Sequence, residues 1–87
     1  MIRVHLPRGL VELYGRPATV DVEASTPMEA LEGLEREQPG IMDRLCERPG
    51  VLRPYVLLFV DGERWTDLDA HLPDEGEMHI VGALAGG

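Results

Sequence analysis

One stretch of this chain carries a strong helix signature, and the segments around it alternate instead. Thr26 offers a capping hydroxyl, Pro27 stands at the first helical position, and Glu29 completes a capping box. Met28, Ala30, Leu31 and Leu34 then fall on one apolar stripe, with Glu32, Glu35, Arg36 and Glu37 on the solvent side. Gln38, Pro39 and Gly40 stop the run, and Ile41, Met42 and Leu45 predict one further turn of helix. Before it, residues 2–6 set Ile2, Val4 and Leu6 against Arg3 and His5, and residues 18–23 alternate again. Near the end, residues 77–81 place Met78 and Ile80 on the inner side. A single amphipathic helix can cover one face of one sheet. These elements therefore predict a two-layer α+β domain whose other sheet face is left open.

Residues 55–60 supply the most apolar strand, and it is apolar on both parities. Such a strand is either sandwiched between two layers or turns one face to a partner. Asp61 and Gly62 are a turn signal that lets residues 63–66 pair back as a short strand. Pro7 and Gly9 end the first strand, and residues 10–14 read as a loop that dips into the core. Gly15, Arg16 and Pro17 form a turn that sets the second strand antiparallel to the first. Residues 46–50 read as a loop, and Leu68 and Leu72 sit in a polar crossing segment before a turn at residues 73–76. No internal repeat or domain boundary interrupts the chain. The expected organisation is one domain over residues 1–82 and a flexible tail over residues 83–87.

Composition removes several functions. Eighty-seven residues build one modest core and leave no room for a barrel or doubly wound enzyme. All eight basic residues are Arg, against sixteen acidic ones, for a net charge of −8. That field argues against nucleic acid and anionic membranes and favours a basic protein partner. The single cysteine, Cys46, cannot form an internal disulfide. No apolar run approaches the roughly 18 residues of a membrane span, and the first residues are no signal peptide, so a cytoplasmic protein is expected. His5, His71 and His79 lack close ligand spacing and read as surface histidines, with no metal site expected. Cys46, with Arg44 and Arg48 as basic neighbours, reads as a spacer rather than a nucleophile. Asp67 and Asp69, and Asp74, Glu75 and Glu77, read as solvated turns or as contacts with a basic partner. Neither a phosphate loop nor a Ser/His/Asp order is present.

Gly86 and Gly87 close the sequence a few residues after its last alternating strand. With the order of elements, this end resembles the ubiquitin-like β-grasp proteins. It is most similar to the ThiS/MoaD-like sulfur-carrier family, which includes the thiamine-pathway carrier, the small subunit of molybdopterin synthase and the cysteine-pathway carrier. Residues 2–6, the capped helix from Thr26, residues 55–62 and the approach over residues 72–81 carry the resemblance, together with Ala85, Gly86 and Gly87. It covers nearly the whole chain. The diglycine with its approach is the specific part; the rest is similarity of fold.

The resemblance implies a mixed sheet of four to five strands with one main helix on one face. It implies a carrier rather than an enzyme, alone or as the small subunit of a complex such as molybdopterin synthase. It also implies no bound cofactor, because an E1-like adenylating enzyme uses ATP to activate the Gly87 carboxylate, which then takes sulfur as a thiocarboxylate. Gly86 and Ala85 would thread the enzyme's channel, where a missing Cβ allows close backbone approach, and Leu84 would be an apolar anchor.

The open sheet face is the second expected site. If Val56, Leu58 and Val60 pack on the helix, Leu57 and Phe59 emerge opposite, and the same parity places Arg3, His5, His79 and Val81 there. In a β-grasp sheet the first and last strands are parallel neighbours, which brings His5 near His79. The resemblance implies that both the activating enzyme and the sulfur-accepting enzyme or synthase large subunit dock on this face. The alternative is that the 46–54 segment covers Leu57 or Phe59. The absence of proline in residues 81–85 and the long 46–54 segment look more like cysteine-pathway or archaeal carriers. The acceptor, in molybdopterin, thiamine or cysteine synthesis, stays open. The same tail permits a ubiquitin-like modifier joined through Gly87, one that lacks lysines for chains on itself. It also permits a β-grasp interaction module whose tail is passive.

Overall fold

The computed structural model describes residues 1–15 and 18–82 (for residues 13 and 14, the backbone only). The chain runs β1 (Ile2–His5), α1 (Arg8–Tyr14), β2 (Thr19–Val22), α2 (Pro27–Glu37) and α3 (Ile41–Leu45), then β3 (Cys46–Arg48) and β4 (Val51–Leu52). It continues through β5 (Val56–Val60), β6 (Glu63–Trp65) and β7 (Gly76–Gly82). Five strands form one sheet in the order β2-β1-β7-β5-β6, and β3 pairs with β4 as a separate ribbon. β1 and β7 run parallel at the centre, while β1–β2, β5–β7 and β5–β6 are antiparallel. This is the expected α+β arrangement. The expected division into residues 1–82 and a tail over 83–87 meets the structure only on its first part, since residues 83–87 lie outside the described residues.

Alternation in the sequence becomes the two faces of the sheet. Ile2, Val4, Val22, Val56, Leu58, Val60, Met78 and Ile80 are buried on the inner face. Ala30, Leu31 and Leu34 of α2, Ile41 and Leu45 of α3, and Leu68 and Leu72 of the crossing segment close over them. Gly33 allows the helix to lie close: a Cβ there would stand 3.1 Å from Val22 Cγ1. The helix start forms as expected, with the Thr26 hydroxyl accepting the Glu29 backbone N–H at 3.2 Å. The Glu29 carboxylate returns to the N–H of Ser25, one residue earlier than a simple capping box, at 2.7 Å. Asp61, with φ 48°, and Gly62, with φ 86°, make the tight turn that joins β5 to β6.

Two segments read as loops are regular structure. Residues 10–14 belong to α1, which starts after Pro7 and ends on Gly15 in the left-handed region at φ 62°. Gly9 was a misleading stop signal; within a helix this short, Leu10 gains burial that outweighs glycine's weaker propensity. The segment starting at Cys46 forms the β3–β4 ribbon, tied to α3 by Arg53. Its guanidinium donates to the Asp43 carbonyl from Nη2 at 2.7 Å and from Nε at 3.1 Å. Glu35 makes a similar join between the helices by accepting the N–H groups of Gly40 and Met42, each at 2.9 Å. Those two bonds hold its carboxyl below the usual carboxylate range. No helix among the described residues is long and apolar enough to cross a membrane.

Candidate functional site: the open sheet face

The helices occupy one face of the sheet, so the other is built from the outward residues of its five strands. Register fixes their rows. His5 stands opposite Thr19 on one side and His79 on the other, His79 opposite Phe59, and Phe59 opposite Arg64. This single row crosses the whole sheet. One step along the strands, Leu57 faces Val81. One step the other way, Arg3 lies between Asp21 and Glu77.

The face is therefore graded along the strands. At one end are Leu57, half-buried, and Val81, which is 47% exposed, and half-buried Phe59 adjoins them from the histidine row. Leu57 borders a groove of about 290 Å³ shared with Leu52 and Pro54 of the ribbon side, yet neither Leu57 nor Phe59 is buried beneath it. The 46–54 segment therefore does not cover Leu57 or Phe59. β7 leaves the sheet at this apolar end, where Gly82 pairs with Val56.

The middle holds the histidines. The His5 and His79 rings stack with centroids 3.9 Å apart and planes 5° from parallel. His5 Nε2 is hydrogen-bonded to the Glu77 carboxylate. The opposite end is ionic. Arg3 Nε donates to Asp21 at 3.1 Å, and that hydrogen bond, with the Asp21 charge, pushes the Arg3 pKa up. Beyond it lies an open cleft of about 400 Å³ bordered by Arg3, Asp21, Asp61, Glu75 and Glu77. Four carboxylates against one guanidinium make it unsuited to a nucleotide's phosphates.

The structure thus brings together Leu57, Phe59, His5, His79 and Val81, as parity predicts. Gly87, Gly86, Ala85 and Leu84 lie outside the described residues. His71 is on the exposed crossing segment, away from the other two histidines. Glu77 is the residue that the sequence reading missed, because it was grouped with the acidic turn before it. Its signal was available, since it lies two residues before His79 and so shares its face.

Cys46 opens β3 rather than lying in a loop. It is 3% exposed, its Sγ lies 3.8 Å from Met42 Sδ, and burial pushes its thiol pKa up, against a smaller opposing effect of Arg53. A shielded, protonated thiol suits a core position and not a nucleophile. Asp67 accepts the N–H of Asp69 at 2.9 Å, which makes that acidic pair a local turn.

A mixed five-stranded sheet with parallel strands β1 and β7 at its centre and the main helix across one face defines a ubiquitin-like β-grasp protein. Compared by sequence, the chain matches no protein-family model and no curated protein. Compared by structure, it is similar to a chain of the Amycolatopsis orientalis BexX/CysO complex, at 26% identity and a TM-score of 0.85 over 100% of both chains. It is also similar to Mycobacterium tuberculosis CysO, at 25% identity and a TM-score of 0.84, over 95% of this chain and 99% of that one. It shares its fold with SAMP1 from Haloferax volcanii, at 24% identity and a TM-score of 0.76 over 99% of this chain and 98% of the other. These neighbours are ThiS/MoaD-like β-grasp sulfur carriers or ubiquitin-like modifiers, the class that the sequence resembles.

Proposed function

We propose that this chain is a sulfur carrier that other enzymes load and unload at Gly87. The observation that carries the reading is the open face. Its apolar end, formed by Leu57, Phe59 and Val81, lies where β7 leads toward the diglycine. A partner seated there would have the chain's last residues within reach. Five extended residues after Gly82 span about 17 Å.

A carboxylate is a poor electrophile at neutral pH, so loading needs prior activation. An E1-like adenylating enzyme holds ATP, and the Gly87 carboxylate attacks its α-phosphorus, releasing pyrophosphate and forming an acyl-adenylate. Hydrosulfide then attacks the carbonyl carbon, the new C–S bond forming as the C–O bond to AMP breaks, and leaves the thiocarboxylate. This chain supplies the docking face and the reacting end, and the partner supplies the nucleotide site. Gly86 and Ala85 thread its channel and Leu84 anchors in it. The Amycolatopsis orientalis neighbour comes from a complex with a second protein, which supports a partnered role.

The sulfur acceptor is an enzyme of cofactor or cysteine synthesis, and the likeness to CysO supports the carrier role. The likeness to the small archaeal modifier SAMP1 supports a second reading, conjugation of Gly87 to lysines of other proteins. Both readings need the diglycine, whereas a passive interaction module does not. Deleting Gly86 and Gly87 is therefore expected to abolish ATP–pyrophosphate exchange by a matching adenylating enzyme while the circular dichroism spectrum is unchanged. Exchange at the full rate by the shortened chain would leave only the passive module.

A further inference from the structure

We infer that the centre of the open face is a binding site for a divalent transition-metal ion, formed by His5 and His79 from adjacent parallel strands and by Glu77. One donor atom from each of the three side chains lies within 4.8 Å of the other two. In a tetrahedral zinc site, donors at their usual bond lengths are about 3.4 Å apart. Closing that difference takes rotation about the side-chain bonds of Glu77. It also requires the two stacked rings to tilt out of parallel, because an imidazole nitrogen's lone pair lies in its ring plane and both must aim at one ion. The strands need no rearrangement, because register already sets His5 beside His79.

The donor set selects the class of ion. Two imidazoles and one carboxylate suit Zn²⁺ and its neighbours, whereas Mg²⁺ and Ca²⁺ favour all-oxygen shells. The surroundings also favour a cation. The chain carries a net charge of −8, and the Arg3 guanidinium beside Glu77 hydrogen-bonds to Asp21. The His79 ring has no hydrogen-bond partner among the described residues, and both rings are half-buried between the flanking strands. Half-burial limits how many orientations each ring must give up on binding an ion.

All three ligands rise from one face of a sheet, so the fourth position points away from the protein. That open position accepts a water, or a donor from whatever docks on the face. The site is a property of the isolated chain and stands or falls independently of sulfur loading.

Titrating the full chain with zinc chloride alone in a calorimeter tests it. Saturable binding of one ion per chain is expected. His79→Ala and His5→Ala should each weaken it by no less than the roughly tenfold that loss of a ligand's supporting group costs. His71→Ala should bind as the wild type does, and the circular dichroism spectra of all variants should match. If the wild-type chain shows no saturable binding, or if the His5→Ala/His79→Ala double variant binds zinc equally well, the inference is wrong. Should an alanine variant fail to fold, imidazole nitrogen shifts in the wild-type chain decide instead. His5 and His79 must move on zinc addition while His71 does not; movement of His71 alone overturns the site.

Discussion

Cys46 shows how much a single position depends on its surroundings. In the sequence it is a lone thiol flanked by arginines two residues away on either side, a setting that can signal either a nucleophile or nothing. In the fold it opens β3, turned into the core, and burial raises its pKa. A raised pKa in the folded state means that folding favours the protonated thiol. Its contribution to stability is therefore complete below the free thiol's range and is lost as pH rises through the folded value. Urea unfolding between about pH 8 and pH 10, which spans the free thiol's range, should show wild type losing stability more steeply than Cys46→Ala. Equal slopes would mean that the thiol is not shielded. Glu77 teaches the complementary point. Its residue type suggested a solvated turn, and only its parity with His79 and the parallel pairing of β1 with β7 reveal its neighbours.

Elements were legible in proportion to the length of their pattern. Residues 2–6 and 77–81 each alternate over enough positions to fix a strand and its faces. Residues 55–60, apolar on both parities, mark a strand without fixing its faces, and α2 is marked at both ends. α1 and the β3–β4 ribbon were not legible. Seven residues give barely two turns of helix, with Gly9 among them, and strands of three and two residues hold too few positions for a period to show. What forms them is packing: Leu10 and Cys46 are both buried in the common core. The faces assigned to β5 make a direct comparison of neighbours possible. Leu58 is wholly buried, so Leu58→Ala should destabilise the chain by about 3 kcal/mol. Phe59 lies on the open face, so Phe59→Asp should leave the melting temperature near that of the wild type and weaken binding to an adenylating enzyme. A Phe59→Asp chain that unfolds, beside a stable Leu58→Ala, would reverse the two faces.

At the scale of the whole molecule, the architecture explains the composition. Among the described residues, one helix layer covers the inner face of a five-stranded sheet and leaves the other face open. That face is graded from apolar to ionic rather than uniformly charged, which gives a partner both a direction and a register. The charge of −8 points toward a partner with a basic docking face, whose encounter with this chain would be steered by attraction. The two-layer α+β class was legible from the alternating segments and the single capped helix. The parallel pairing of the first and last strands was implied by the β-grasp resemblance, and the full strand order came from the structure. The chemistry at the end could not be inferred in the same way. In the proposed function it depends on Gly87 and on a second protein, and no periodicity records a partner. The claim that this small domain is itself the substrate of an adenylating enzyme is tested most directly by the mass of the intact chain. After incubation with a matching adenylating enzyme, ATP and a sulfur donor, the mass should increase by the difference between one sulfur and one oxygen atom, with fragmentation placing the change at Gly87. An unchanged mass with several such enzymes, each active on its own carrier, would contradict it.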